Sequence, residues 1–124
     1  MSVWADSPVT EEIMRFFGVE GSDFLALKQD AGNGNTRYII KFGEPLKVTG
    51  AKYDKFYDFL TGLGFHLTYN EYKTLADCPG CKCSKWVELY KDGDGSEVDV
   101  EYVEEEIKGK SEVYIERIEI SVKR

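Results

Sequence analysis

The amino-acid sequence predicts an α+β fold, an antiparallel sheet of about six strands with two helices packed on one face, and three observations predict it. Two stretches repeat apolar side chains at helical spacing, and about six others alternate apolar with polar residues. Most of the alternating stretches are neighbours in the chain, joined by short glycine-rich connections of the kind that link antiparallel strands. The expected order is αββαββββ, and at 124 residues, seventeen of them aromatic, residues 1–124 are expected to form a single domain with its own core.

Each element has its own warrant. Ser7-Pro8 opens the first helix, with a hydroxyl at the N-cap, proline at the first helical position, and Glu11 and Glu12 near the positive end of the dipole. Val9, Ile13, Phe16 and Phe17 then recur at helical spacing until Gly18, so this helix spans about 8 to 17. Residues 24–30 and 36–42 read as strands of a hairpin, because Gly32-Asn33-Gly34-Asn35 tolerates positive φ in a tight connection. After a connection over 43–50, Tyr53, Phe56, Tyr57, Leu60 and Leu63 restore the helical period, which Gly62 and Gly64 end. Phe65, Leu67 and Tyr69 alternate with polar neighbours in a third strand. Strands over 86–91 and 97–103 flank Asp92-Gly93-Asp94-Gly95, and 113–122 makes the last.

All three cysteines fall in Cys78-Pro79-Gly80-Cys81-Lys82-Cys83, the spacing of a metal-binding knuckle. A Cys-x-x-Cys turn offers two thiolates to one cation, and Cys83, two residues on, returns its side chain to the same side. A closed zinc site needs a fourth ligand, for which the one histidine, His66, is the candidate, with Asp77 or a ligand from another copy of the chain as alternatives. A structural zinc ion is the cofactor this pattern points to. The competing reading is three unliganded thiols in a loop, and an odd number of cysteines without an export signal leads us to expect a reducing, cytoplasmic setting and no structural disulfide.

Net charge is −7 and uneven. Residues 1–75 carry ten acids against eight bases, residues 76–124 thirteen against eight, and Asp92 to Glu106 holds eight acids and no base. Such a field repels phosphate backbones, which disfavours direct duplex nucleic-acid binding and favours a basic protein partner. Alternation places Glu97, Asp99 and Glu101 in a row away from the core, one carboxylate per ~6.6 Å. Glu119 on the last strand can join them, and Glu104 extends the acidic run. Carboxylates so arranged can imitate phosphates, and the leading functional expectation is therefore a non-enzymatic acidic interaction protein, an inhibitor that occupies the basic site of a nucleic-acid-binding partner.

Two alternatives belong to other classes. Lys28, Arg37 and Lys41, beside Tyr38, can make a basic face on the first hairpin that would hold a nucleotide or other small anion. A zinc-stapled structural module is the other. Asp92-Gly93-Asp94-Gly95-Ser96 begins like a calcium loop, but Glu97 stands where the loop needs glycine, and strands flank it. With one histidine and no nucleophile motif, catalysis is not expected. No stretch approaches the roughly eighteen apolar residues of a spanning helix, so no membrane partner is expected either.

Overall fold

A computed structural model describes residues 3–75 and 82–123. Among the described residues two helices and a six-stranded antiparallel sheet follow in the expected order αββαββββ. They are α1 (Pro8–Phe17), β1 (Phe24–Gly32), β2 (Asn35–Thr49), α2 (Gly50–Gly62), β3 (His66–Leu75), β4 (Lys82–Lys91), β5 (Glu97–Ile107) and β6 (Lys110–Lys123). The sheet order is β1-β2-β6-β5-β4-β3, so β6, last in the chain, lies at the centre between β2 and β5. No helix among the described residues is long and apolar enough to cross a membrane.

Local chemistry explains the boundaries. The Ser7 hydroxyl accepts the Thr10 N–H at 3.3 Å, and Gly18 ends α1 in the left-handed conformation at φ 62°. Gly32 pairs with Asn35 and Ile107 with Lys110, so Asn33-Gly34 and Lys108-Gly109 are two-residue hairpin loops. All four loop residues have positive φ, the twist that suits adjoining antiparallel strands. The second of these hairpins was not legible, because Lys108-Gly109 sits in a charged stretch without the asparagine that marks the first.

Residues 43–49, expected as a connection, belong to β2. Pairing with β6 lapses between Lys41 and Leu46 and resumes with Leu46 opposite Ile115 and Val48 opposite Val113. The strand crosses Gly43-Glu44-Pro45 as an irregularity and continues, because Leu46 and Val48 still have core to cover. Thr49 then caps α2 by accepting the Lys52 N–H at 3.1 Å.

The core lies between the helices and one face of the sheet. Tyr38, Ile40 and Phe42 of β2, Val98, Val100 and Tyr102 of β5, and Ile115, Ile118 and Ile120 of β6 are buried on that face. Ile13, Met14 and Phe17 of α1 and Tyr53, Phe56 and Leu60 of α2 close over them. Helix α2 starts hard against β6, since a Cβ on Gly50 would fall 2.7 Å from Ser111 Cβ. Its buried stripe holds Tyr53, Phe56 and Leu60 down, which leaves Asp54, Tyr57 and Asp58 along an edge facing β4 and β5.

Candidate functional site

Cys78 and Cys81, with Asp77, lie outside the described residues. Cys83, at the start of β4, is buried and disulfide-bonded, which corrects the expectation of no structural disulfide. A sulfur in a disulfide has no thiolate to give a metal, so the three-thiolate set is not present in this form. His66 is not beside it. On the β3–β4 ladder His66 pairs with Lys91 and Leu75 with Cys83, which puts the two at opposite ends, about 26 Å apart at ~3.3 Å per residue. No cluster of His, Cys, Asp and Glu suited to a metal occurs among the described residues.

The acidic row exists, but it is not bare. Glu97, Asp99 and Glu101 lie on the open face, opposite Ser121, Glu119 and Arg117 of β6. Arg117 approaches Glu119 at 2.6 Å and Glu101 at 3.8 Å, Arg37 approaches Glu119 at 2.9 Å, and Lys91 approaches Glu97 at 3.6 Å. Glu104 is elsewhere: the β4–β5 register is unbroken, so Glu104 shares the parity of Tyr102 and stands on the helix side. Asp99 is the strained member. Burial first, then the charges of Glu119 and Glu97, push its carboxyl up to about 6.

A stability test follows from that shift. The folded chain keeps the Asp99 proton to higher pH than the unfolded chain, so the site weakens the fold progressively as pH rises from about 4 to 6 and fully above that. Asp99→Asn should therefore stabilise by about 1 kcal/mol at pH 7, a value reduced for the partial solvation of the carboxylate, and by almost nothing near pH 4. Urea unfolding at both pH values reads it; an equal effect at both would remove the electrostatic cause.

The basic face is not assembled. Lys28 pairs with Tyr38 on the helix side, whereas Arg37 and Lys41 point to the open face, since they sit at the other parity of β2. The Lys28 ammonium is 2.5 Å from Asp6, whose carboxyl also accepts the Tyr38 hydroxyl at 2.9 Å. Lys28 first, then Tyr38, holds the Asp6 carboxyl below its usual range, while burial and Asp6 push the Tyr38 phenol up to about 12. The groove beside them, about 810 Å³, sets Asp6, Asp30, Asp92 and Asp94 against Lys28 and Lys123, an excess of acids that makes it a poor seat for an anion. Asp92 closes its own turn by accepting the N–H groups of Asp94 and Ser96.

A different site emerges between α2 and the β4–β5 ladder. There a cleft of about 610 Å³ has tyrosine walls and carboxylates from three elements. Glu88, on the core parity of β4 and 8% exposed, is the buried carboxylate among its lining residues. It accepts the Tyr53 hydroxyl at 2.5 Å and the Tyr90 hydroxyl at 3.4 Å, and it lies near enough to Tyr102 for its charge to act on that phenol. Burial, and next the negative charge of Glu88, raises all three phenols well above the ordinary tyrosine value. At the mouth stand Asp54, Asp58 and Glu104. Burial, then Glu106, Asp54 and Glu88, raises the Glu104 carboxyl. Among the described residues, none that lines the cleft is basic.

The sequence of its elements carries two signals of this site. Tyr53-Asp54 and Tyr57-Asp58 repeat a tyrosine-aspartate pair one helical turn apart, and Glu88 occupies a core position between Trp86 and Tyr90. A carboxylate at a core position requires partners, and the sequence did not show that they would be tyrosines on a helix and two strands.

No protein-family model matches this chain, and no curated protein matches it in sequence. Among solved structures, it is similar to ORF14 from Sulfolobus islandicus filamentous virus, at 16% identity and a TM-score of 0.39 over 99% of this chain and 90% of that one.

Proposed function

We propose that this protein is a non-enzymatic acidic interaction protein that engages a basic protein partner, and that the α2–β4–β5 cleft is the surface that meets it. One observation carries the reading: the cleft gathers Asp54, Asp58, Glu88 and Glu104 without a basic lining residue, whereas Glu97, Glu101 and Glu119 of the open face are tied to Lys91, Arg117 and Arg37. Negative charge left uncompensated in a concave site attracts a positively charged partner and speeds its encounter. A partner whose basic surface otherwise binds nucleic-acid phosphates is the kind such a cleft would block. The alternative of a small-anion binder loses support, because Lys28 is paired with Asp6 and faces away from Arg37 and Lys41.

Two triple variants with equal loss of charge test this. Asp54→Asn, Asp58→Asn and Glu104→Gln strip the cleft mouth, and Glu97→Gln, Asp99→Asn and Glu101→Gln strip the open face. In capture from an extract of the source cells, a basic protein should be retained by the unmodified chain and the open-face variant and lost by the cleft variant. Its association rate with the unmodified chain should fall as salt rises. Retention of the same proteins by all three forms, or loss with the open-face variant alone, would refute the assignment.

A further inference from the structure

We propose that the cleft is a receptor for a single guanidinium group, an arginine side chain of the partner, with Glu88 as the anchoring carboxylate; this deepens the preceding reading and rests on it for the source of the arginine. The shape comes first. About 610 Å³ is ample for one long side chain with part of its backbone, and the cleft is lined by exposed Asp54 and Asp58 as well as by buried Glu88. Exposed and buried carboxylates together attract an entering cation.

The floor lacks a counter-charge. Glu88 is buried, and what it receives there is hydroxyl hydrogen bonds from tyrosines, with no cation among the lining residues. Hydroxyl donors solvate a carboxylate but leave its charge uncancelled, and a buried charge is most stable when paired as well as hydrogen-bonded. An incoming cation supplies that pair. A loop peptide without charge, or an anion, would worsen the balance.

The walls select among cations. The Tyr53 and Tyr102 rings lie 4.4 Å apart, and Tyr57, at the rim and half exposed, lies 6.3 Å from Tyr90. Aromatic faces attract cations, and they suit the flat, weakly hydrated guanidinium better than a compact ammonium that must shed tightly held water. The guanidinium also has donors enough to meet Glu88 and a mouth carboxylate together, through the fork that an ammonium lacks.

The test uses the intact protein and two small probes, N-acetyl-arginine N-methylamide and N-acetyl-lysine N-methylamide, with backbone and tyrosine-ring NMR shifts as the readout. The arginine probe should saturate shifts confined to α2, β4 and β5, and the lysine probe should bind at least ~5-fold more weakly. Glu88→Gln should weaken the arginine probe ~10-fold or more, Tyr57→Ala several-fold, and the open-face triple variant should leave it unchanged. Tyr57 and Asp58 lie at the mouth, so Tyr57→Ala and Asp58→Asn keep the test decisive if Glu88→Gln perturbs the fold. Shifts that are absent, equal for both probes, spread over the whole acidic surface, or unchanged in all cleft variants would overturn the proposal.

The two readings fail separately. If no arginine site is found but the cleft triple variant still loses a basic partner, the surface assignment stands without the guanidinium receptor. If the arginine probe binds as described and no basic protein depends on the cleft, the receptor stands and the protein-partner reading falls.

Discussion

Phe56→Ala is expected to cost about 3–5 kcal/mol of folding stability. Phe56 has no exposed surface, and its ring lies 4.5 Å from Phe17, 5.6 Å from Phe16, 5.7 Å from Tyr53 and 6.3 Å from Tyr90. It is where α1, α2 and β4 meet. Truncation removes the buried ring from three elements at once, and these have no common motion that would close the space, so a cavity term adds to the lost transfer energy. Domains of this size are stable by only about 5–15 kcal/mol, so about a fifth or more of the total is at stake. Urea unfolding should show a lower midpoint with an unchanged slope. Phe59→Ala, which removes a partly buried ring stacked on Phe16, should cost clearly less. Equal costs at the two positions would mean that the core is not centred on Phe56.

Glu88→Ala is expected to destabilise by about 2–3 kcal/mol, because it withdraws the acceptor shared by buried tyrosine hydroxyls. Glu88→Gln, which keeps an acceptor of similar size, should cost less. If the loss comes from stranded hydroxyls, adding Tyr53→Phe to Glu88→Ala should cost little more, a departure from additivity that the double-mutant cycle measures. The pH dependence carries a second signature. The phenols of Tyr53, Tyr90 and Tyr102 hold their protons to higher pH in the folded chain than in the unfolded one. Their contribution is therefore constant below about pH 10 and is lost as pH rises beyond it. In Glu88→Ala the negative charge that helps raise them is gone, so tyrosinate absorbance should appear at lower pH. An unshifted titration would show that Glu88 is not the acceptor that unites them.

Much of the fold was legible because it depends on local period and punctuation. Ser7-Pro8 and Gly18 bracket α1 at both observed ends, and the alternation of Val98, Val100 and Tyr102 placed β5 and its buried side correctly. Asn33-Gly34 made the first hairpin visible, while Lys108-Gly109 adopts the same positive-φ loop with a weaker signature. The continuation of β2 through 43–49 was hidden, because glycine and proline read locally as the end of a strand, and only the uncovered core beside β6 keeps the chain in the sheet.

The candidate site divides along the same line. Sequence by itself determined the fold class, the element order, the acidity of the second part of the chain and the parity that sets Glu97, Asp99 and Glu101 apart from the core, since each is a property of neighbouring residues. It could not determine which strands lie side by side. Placing β6 between β2 and β5 brings Arg37 and Arg117 onto the acidic row, and pairing β3 with β4 in its observed register carries His66 away from Cys83. Laying α2 over β4 and β5 brings Tyr53, Glu88 and Tyr102 together across 49 residues of chain. Charge compensation and a buried carboxylate's partners depend on distances of a few ångströms between residues remote in sequence, and only tertiary packing sets those distances.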